Sequence, residues 1–471
     1  MLTLGHFLET LTEYKANGKE SKLTTVVMDS REVERGSLFV AVQGEHVDGH
    51  DYVADAFANG AVAALVERPF PHTTTIDLRK SSPQSSVLSP QSLPVCLLVD
   101  NTVTALQEAA AAWYAKFNTP VIGITGSVGK TSTKELAHAV MSTKFRTFKS
   151  EGNRNSILGL PLTIFGLRPF HQYAVLEMAM YTRGEIARLA ALFPPQIGVV
   201  TLIGAVHMER AGSMEAIVAA KQELVEALPA DGIAILNKDD ERVMSMAAHT
   251  NARIFTYGLD PSADLWADEI QSHGLNGVQF TLHHQGESLH LQVPLLGRHS
   301  VHTSLRAAAI GLVTGLRWED IARGLRQSQA QLRLVTVPGP KQSLIIDDTY
   351  NANPESTMAA LNLLADMPGR RIAVLGDMLE LGHVEEASHR LIGRRAADVA
   401  HTIITVGRRA RWIAEEALTI GTPKDRVFMV DDAKTAVPLL TDLIRTKDVI
   451  LVKGSYGMRM DQIINEIGRY D

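Results

Sequence analysis

Eight consecutive residues in the first half of the chain have the types and spacing that suit phosphate binding. They are Thr125, Gly126, Ser127, Val128, Gly129, Lys130, Thr131 and Ser132. The apolar residues 121–124 precede them, and a helical pattern with one apolar face follows. Glycines let backbone N–H groups close around phosphate oxygens, the helix N-terminus adds favourable partial charge, and the lysine and hydroxyl can reach the β- and γ-phosphates and Mg²⁺. The usual pattern has glycine where Ile124 stands, so this is a shortened loop, whose place between strand and helix favours a nucleotide site over a structural turn.

Composition and charge place the chain among ordinary soluble globular proteins. Its 471 residues allow roughly two to four domains, and 45% of them are hydrophobic and 21% charged. The net charge of −6 argues against a nucleic-acid-binding protein. The single cysteine, Cys96, rules out an internal disulfide and suits a reducing cytoplasm. The chain lacks both a signal-peptide pattern and an apolar run near the roughly 20 residues of a membrane span, so we expect a cytoplasmic protein without membrane insertion.

The order of apolar segments predicts an α/β fold in three domains. Residues 1–118 mix short strands with helical pieces, including a short helix whose apolar face begins at Leu4. Residues 119–331 alternate strands with helices, which implies a parallel sheet covered by helices. Residues 332–471 alternate again and resemble a Rossmann-type domain. The predicted strands are 24–28, 37–42, 121–124, 174–177, 199–203, 233–236, 344–347, 372–375, 403–406 and 449–452.

Two stretches depart from this alternation. Residues 81–94 are rich in Ser, Pro and Gln and cannot bury a core, so they are interpreted as a flexible surface loop. Residues 254–294 are rich in β-forming residues, which suggests a small antiparallel appendage to the second domain.

Two polar residues follow predicted strands of the second domain, where ligands of parallel sheets gather. Glu177 ends the strand 174–177 and could hold the Mg²⁺ that bridges nucleotide phosphates. The alternative is a charged residue that only ends the strand. His207 follows the strand 199–203 and is either a metal ligand or a hydrogen-bonded loop residue.

A lysine stands in the apolar stripe of the predicted helix 214–228. Lys221 lies four residues after Ile217 and three before Leu224. Burial would lower the pKa of its ammonium group, and a neutral amine can react with CO₂ to give a metal-binding carbamate. The alternative is a side chain that reaches solvent past the helix edge.

Further charged residues stand near the start of the third domain. Arg333 begins that domain, and Asp348 closes its first strand. A cation and a carboxylate on a separate domain suit a lid that closes over ATP, although each could instead belong to a surface ion pair. Residues 297–301, which precede an Ala-rich helix, could also approach a nucleotide.

Together these motifs resemble the Mur ligases, the ATP-dependent amide ligases that build the peptidoglycan peptide in the bacterial cytoplasm. The resemblance covers nearly the whole chain apart from residues 81–94. Residues 29–31 and 36–50 resemble the family's uridine-nucleotide domain, and Thr-Gly-x-x-Gly-Lys-Thr at 125–131 is the family's phosphate loop. The stretches 348–354, 375–382 and 452–460 are similar to those of the branch that adds a dipeptide.

The resemblance implies a reaction and its partners. The expected reaction adds D-alanyl-D-alanine to UDP-N-acetylmuramoyl-tripeptide through an acyl phosphate, with ATP and Mg²⁺, in peptidoglycan precursor synthesis. We expect a monomer and no nucleic-acid partner. The alternatives are a Mur-type ligase that adds a single amino acid, a folylpolyglutamate synthetase, a phosphotransferase and a non-catalytic UDP-sugar-binding protein.

The resemblance also implies roles for particular residues. Lys130 would contact the transferred phosphate, and Thr131 and Glu177 would hold one Mg²⁺. His207 and a carbamylated Lys221 would hold a second Mg²⁺. In the third domain, Arg333 and Asp348 would contact the nucleotide. The residues assigned to the other substrates are Ser30, Arg31, Gly44, His46, Asp48, Gly49, His50, Asn153, Asn155, Asn351 and Asn353.

The chain departs from the family pattern at a few positions. The family's Gly-x-His-Asn-x-x-Asn stretch is found here at 297–303 with Ser300 and Thr303 in place of the two asparagines, the second of which usually helps hold the adenine. Tyr456 stands where arginine is frequent, and Ser156 replaces a frequent asparagine. These changes leave the phosphate loop and the expected metal ligands intact.

Overall fold

The computed structural model describes residues 1–44, 47–80, 93–206, 208–327 and 335–468. Within those ranges no helix is long and apolar enough to cross a membrane. The chain forms two compact units. The first comprises Met1–Val121, Ser150–Met178 and Ala187–Pro194, and the second comprises Ile122–Lys149, Ala179–Ile186 and Pro195–Asp471.

The N-terminal part of the first unit is built on a parallel sheet. Its strands lie in the order β1-β2-β3-β5-β4, and their apolar side chains are buried, as expected for a parallel sheet. The predicted strands 24–28 and 37–42 are confirmed as β1 and β2, and the predicted N-terminal helix as α1. The predicted surface loop 81–94 lies outside the described residues except for its last two. The elements are α1 Leu4–Leu11, β1 Val26–Val27, β2 Leu38–Val40, α2 Val53–Ala58, β3 Ala63–Val66, β4 Thr74–Asp77, β5 Val95–Leu98 and α3 Thr102–Ala115.

The middle part of the chain alternates strands and helices, as predicted. Predicted strands 121–124, 174–177 and 233–236 are confirmed as β6, β8 and β10. The elements are β6 Val121–Thr125, α4 Lys130–Met141, β7 Thr147–Lys149, α5 Gly159–Ile164, β8 Tyr173–Glu177, α6 Glu185–Leu192, β9 Pro195–Val200, α7 Met208–Ala211, α8 Met214–Glu226, β10 Ile233–Asn237, α9 Glu241–Ser245, β11 Arg253–Gly258, β12 Leu265–Ser272, β13 Val278–His284, β14 Glu287–Val293, α10 Ser300–Val313 and α11 Trp318–Gln327.

The β-rich stretch 254–294 extends the main sheet of the second unit. Strands lie there in the order β14-β13-β12-β11-β10-β9-β6. β9, β10, β11 and β12 pair in parallel, and the pairs β12-β13 and β13-β14 are antiparallel. The predicted antiparallel pairing is therefore confirmed for β12, β13 and β14, whereas β11 continues the parallel sheet, so the stretch extends that sheet. The first five residues of β11 pair with β10. This pairing could not be predicted from the sequence around β11, because the partner strand lies about 20 residues earlier in the chain.

The C-terminal part of the second unit is a six-stranded sheet in the order β15-β16-β20-β17-β18-β19. All pairs except β15-β16 are parallel, and apolar side chains are buried on both faces. The four strands predicted here are confirmed as β16, β17, β18 and β20, whereas β15 and β19 were missed. The elements are β15 Val335–Pro338, β16 Leu344–Asp348, α12 Pro354–Asp366, β17 Arg371–Gly376, α13 Glu385–Val399, β18 Thr402–Val406, α14 Arg411–Thr419, β19 Val427–Val430, α15 Ala433–Leu443, β20 Val449–Lys453 and α16 Asp461–Ile467.

Helix α4, which follows the phosphate loop, packs against α10 and α11. Its apolar face, including Leu136 and Val140, is fully buried. At Gly324 of α11 the two helices approach so closely that a Cβ atom would lie 2.5 Å from the Val140 Cα. The position of α4, and with it the phosphate loop, therefore depends on the absence of a side chain at Gly324.

Gly324→Ala is expected to destabilise the protein by about 1–3 kcal/mol, because backbone cannot move aside as a flexible side chain can. Urea denaturation measures the change. Gly311→Ala is the matched control in α10, since the added methyl would meet mainly the side chain of Ile321, at 2.9 Å. Equal stability of the Gly324 variant and the wild type would show that α4 and α11 can separate at no cost.

Candidate active site

The phosphate loop lies between β6 and α4 and depends on two glycine conformations. Gly126 has φ +138° and Gly129 has φ +85°, and Gly129 immediately precedes the helix. A Cβ atom at Gly126 would lie 1.9 Å from the Thr201 Oγ1. Both the backbone conformation and this close approach therefore require glycine at Gly126.

Residues that follow β9 hold the loop from behind. Thr201 donates its N–H to the Thr125 carbonyl (3.0 Å) and its hydroxyl to the Val128 carbonyl (2.7 Å). Ser127 donates its N–H to the Leu202 carbonyl at 2.8 Å. The sequence predicted a strand over 199–203, but β9 ends at Val200. The residues after Val200 instead bond to the end of β6 and to the loop.

The first turn of α4 carries the charged and hydroxyl groups of the loop. Lys130 Nζ donates to the carbonyls of Gly126 (2.8 Å) and Ser127 (3.2 Å), which holds the ammonium group at the loop. Thr131 and Ser132 are half-buried in the same turn. The Thr125 hydroxyl is buried and has no hydrogen-bond partner within the described ranges. A cation, hydroxyls and a helix N-terminus at one loop are the groups that bind a nucleoside triphosphate.

Lys221 is buried on α8, with 2% of its surface exposed. Burial, together with the positive charge of Lys130, holds the pKa of its ammonium group well below the ordinary value. Over the part of the chain that the structure describes, its amine makes neither a hydrogen bond nor an ion pair. The alternative in which this side chain reaches solvent was therefore wrong. His207 lies outside the described residues.

Glu177 ends β8 in the first unit and is fully buried. Its Oε1 accepts a hydrogen bond from Asn155 Nδ2 at 2.7 Å, and its N–H donates to the Ser150 hydroxyl at 3.1 Å. A buried carboxylate oriented by an amide suits a cation ligand. No group of three or more His, Cys, Asp or Glu residues gathers within the described ranges. The predicted metal ligands also include the Thr131 hydroxyl and a carbamate on Lys221, which are of other residue types.

An ion pair in the first unit joins two groups of predicted substrate residues. Arg154, which lies between Asn153 and Asn155, donates to Glu32 at 2.7 Å. Glu32 follows Ser30 and Arg31 in the chain. The loop beside Glu177 is therefore held next to the segment predicted to bind the uridine nucleotide. Arg31 itself is exposed and pairs with Asp29 at 2.6 Å.

Of the predicted substrate loop 44–50, the residues from 47 onward are held by hydrogen bonds among themselves and to neighbouring segments. His50 is buried, with Nδ1 bonded to Asp48 Oδ1 (2.6 Å) and Nε2 accepting the Glu67 N–H (3.0 Å). Both ring nitrogens are thus used inside the protein, so His50 shapes the loop. Gly49 packs so closely that a Cβ atom would lie 2.7 Å from the Val42 nitrogen, and Gly44 donates its N–H to the Val47 carbonyl. His46 lies outside the described residues.

A buried ion pair joins two strand ends of the C-terminal sheet. Lys453, at the end of β20 and 1% exposed, donates to Asp348 Oδ2 at 2.7 Å and to the Asn351 carbonyl at 2.8 Å. The predicted nucleotide contact Asp348 is therefore oriented by a lysine. Arg333 lies outside the described residues.

Residues 298 and 299 line a cavity of about 320 Å³ together with residues of α12 and α13. His299 is exposed in this wall, and the protein atoms crowded around it, with a smaller effect from the charge of Arg306, lower its pKa to about 4. Glu355 of α12 also lines this cavity, and its Oε1 accepts the Ala205 N–H at 3.2 Å. The cavity wall therefore combines an uncharged imidazole with a carboxylate.

Sequence reasoning did not single out several residues that shape the site. The role of Thr201 could not be recognised from the sequence, because it depends on the close approach of Thr201 to Gly126 in the folded protein. Arg306 could have been noticed, because helix α10 contains no other Arg, Lys, Asp or Glu and its one other titratable residue is His302. Glu355 follows the Asn-Pro start of α12, where an acidic residue is also expected as an ordinary helix stabiliser.

Asn353 is the N-cap of α12. Its side chain accepts the Ser356 N–H at 2.8 Å, and the Ser356 hydroxyl accepts the Asn353 N–H in return. This reciprocal capping occupies the side chain that was predicted to bind substrate, whereas Asn351 is exposed.

Asn353→Ala is expected to lower the free energy of unfolding by about 1 kcal/mol, because it removes the cap. Urea denaturation checks this, with Asn351→Ala as the matched control that leaves stability unchanged. If Asn353→Ala keeps its stability but loses substrate binding, the main role of Asn353 is to bind substrate and not to cap α12.

Comparison with known proteins covers almost the whole chain. Descriptions of three domains match: "Mur ligase family, catalytic domain" at residues 22–114, "Mur ligase middle domain" at 124–311 and "Mur ligase, glutamate ligase domain" at 332–456. The UDP-N-acetylmuramoyl-tripeptide--D-alanyl-D-alanine ligase of Bacillus subtilis (strain 168) is 36% identical over 446 residues, which are 94% of this chain and 92% of the relative.

Solved structures agree with the sequence similarity. MurF from Acinetobacter baumannii superposes with a TM-score of 0.83 at 30% identity, covering 98% of each chain. The MurF ligase from Thermotoga maritima in complex with ADP gives a TM-score of 0.76 at 25% identity, over 94% of this chain and 96% of that one. The three-domain α/β architecture predicted from the sequence is thereby confirmed. With its phosphate loop, its domain order and its near full-length similarity to these enzymes, the chain belongs to the Mur ligase family of ATP-dependent ligases.

Proposed function

We propose that this enzyme joins D-alanyl-D-alanine to UDP-N-acetylmuramoyl-tripeptide, with ATP as the energy source. The observation that carries the proposal is the phosphate loop, which has Lys130 at the N-terminus of its helix. The chain that contains this loop is similar over 94% of its length to the UDP-N-acetylmuramoyl-tripeptide--D-alanyl-D-alanine ligase of Bacillus subtilis. ATP and a UDP-linked precursor are both cytoplasmic metabolites, so we place the reaction in the cytoplasm. We also keep the prediction of a monomer without a nucleic-acid partner.

The nucleotide is assigned to the second unit. Lys130 would neutralise charge on the transferred γ-phosphate, and the backbone of the loop would surround the phosphate oxygens. Asp348, oriented by Lys453, would contact the nucleotide from the C-terminal sheet together with Arg333. The residues assigned to ATP are Thr125, Gly126, Ser127, Val128, Gly129, Lys130, Thr131, Ser132, Arg333 and Asp348.

Two groups of residues are assigned to Mg²⁺. Thr131 and Glu177 would hold one ion, and His207 with carbamylated Lys221 the other. Bound Mg²⁺ would neutralise charge where a carboxylate meets a triphosphate. The low pKa of Lys221 supports the carbamate, since only the neutral amine attacks CO₂, forming an N–C bond and releasing one proton.

The remaining substrates are assigned to residues outside the loop. Those for the UDP-linked substrate are Ser30, Arg31, Gly44, His46, Asp48, Gly49 and His50, with the last acting through the shape of its loop. Asn153, Asn155, Asn351 and Asn353 are the other residues assigned to substrate binding. Within this group, Asn155 also orients the Glu177 carboxylate.

The proposed chemistry has two steps. The terminal carboxylate of the tripeptide attacks the γ-phosphorus of ATP, which forms an acyl phosphate and releases ADP. The amino group of D-alanyl-D-alanine then attacks the carbonyl carbon and expels phosphate. The Lys130 ammonium group stabilises the negative charge that accumulates in the first step.

Phosphate release from Mg-ATP is expected only when both UDP-N-acetylmuramoyl-tripeptide and D-alanyl-D-alanine are present, with a pentapeptide product by mass. Lys130→Ala should abolish turnover but keep binding of the UDP-linked substrate, because different residues are assigned to the two ligands. Phosphate release with a single amino acid in place of the dipeptide would show that the enzyme belongs to another branch of the family. ATP binding without release under either condition would favour a non-catalytic role.

Lys221→Ala is expected to lower kcat by about 100-fold or more, because the carbamate ligand is lost. Wild-type enzyme exposed to mild acid should lose activity and regain it with bicarbonate, since its neutral amine can be carbamylated again. Kinetic assays and intact mass measurement with and without bicarbonate follow both effects. Lys434→Ala, at an exposed lysine of α15, is the matched control. Full activity of Lys221→Ala would remove this lysine from the mechanism.

A further inference from the structure

Arg306 of α10 is a buried cation held by hydroxyl groups. Its side chain is 3% exposed. Nε donates to the Thr133 hydroxyl at 2.7 Å, and Nη2 donates to the Thr303 hydroxyl at 2.9 Å. The guanidinium group also lies over the Tyr257 ring, 5.8 Å from its centroid.

The charge of Arg306 is not balanced by a carboxylate. Among the residues that the structure describes, none forms an ion pair with it. Lys453, which is buried to a similar degree, pairs with Asp348 at 2.7 Å. A buried charge that lacks an opposite charge is costly, so such groups are retained where an anion binds or a function needs them.

Arg306 lies directly against the phosphate loop. A Cβ atom at Gly129 would lie 2.9 Å from the Arg306 Nη2, so the guanidinium group packs on the Gly129 backbone. The Thr133 hydroxyl, which accepts from Arg306, donates in turn to the Gly129 carbonyl at 2.7 Å. This chain of hydrogen bonds fixes the orientation of the peptide group that immediately precedes Lys130.

We propose that Arg306 is a positioning residue for the nucleotide phosphates, which fixes the Gly129 peptide through Thr133 and adds positive charge behind the loop. The anion that balances the guanidinium charge is then the polyphosphate of the bound nucleotide. The field of Arg306 already extends to neighbouring groups, since its charge contributes to the low pKa of His299. The proposal rests on the nucleotide site of the proposed function but not on the identity of the peptide substrates.

A role in phosphate binding predicts that the effect of removing the charge depends on the number of phosphates. Titration calorimetry with ATP, ADP and AMP, each in the presence of Mg²⁺, measures this in the wild type and in Arg306→Gln. The affinity of the variant for ATP should fall by about tenfold or more, that for ADP by less, and that for AMP by less than about twofold. Arg306→Lys should recover part of the ATP affinity, because it keeps the charge but not the geometry.

Controls separate this role from a purely structural one. Arg317→Gln, at an exposed arginine that follows α10, should bind all three nucleotides like the wild type. The KM for ATP should rise in Arg306→Gln, while the KM for the UDP-linked substrate stays unchanged. Equal weakening of all three nucleotides, or unchanged ATP affinity in a folded variant, would overturn the proposal.

A second variant covers the case in which Arg306→Gln does not fold. Thr133→Val has nearly the same shape but breaks the hydrogen-bond chain to Gly129, and should weaken ATP while sparing AMP. Wild-type affinity for ATP in folded Thr133→Val would refute the role of the chain. Failure of the wild type itself to bind ATP would instead count against the proposed function, so the two outcomes remain distinguishable.

Discussion

The close approach between the phosphate loop and the segment after β9 is the constraint on which the rest of the site depends. The Gly126 backbone lies so near the Thr201 hydroxyl that no side chain fits between them. Hydrogen bonds from Thr201 and Ser127 then join the two segments. β9 ends at Val200, and the residues that continue it support the loop. A glycine loop is intrinsically flexible, and this support restricts it to one shape.

Three buried cations of the second unit differ in how their charge is accommodated. Lys453 is paired with Asp348, so its charge is balanced within the protein. Lys221 has neither an ion pair nor a hydrogen bond within the described ranges, and its pKa is lowered instead, which favours the neutral amine. Arg306 cannot lose its proton at physiological pH and is held by hydroxyl groups. These differences follow from chemistry, since a lysine can change its charge state and an arginine cannot.

The first unit relies on short-range order in its loops. Asp48 bonds to His50 two residues away, and Asp29 holds Arg31 at the same spacing. Bonds between more distant segments also contribute, such as the ion pair between Arg154 and Glu32 and the hydrogen bond from the Glu67 N–H to His50. Such local hydrogen bonds orient polar groups without the burial that a sheet interior provides. Exposed side chains such as Arg31 then remain available to a ligand.

Sequence alone was sufficient to predict the strand–loop–helix order, the place of Lys221 in an apolar helix stripe and the α/β alternation, because each is encoded by neighbours within about one or two helical turns. It also predicted the phosphate loop down to Lys130. It did not distinguish the cap Asn353 from a ligand, although the Asn-Pro-x-Ser pattern contains that information. Nor did it identify the early end of β9, the continuation of the sheet through β11, or the environment of Arg306. These depend on contacts between residues far apart in the chain, such as Gly129 with Arg306, and only the folded structure decides which distant groups meet.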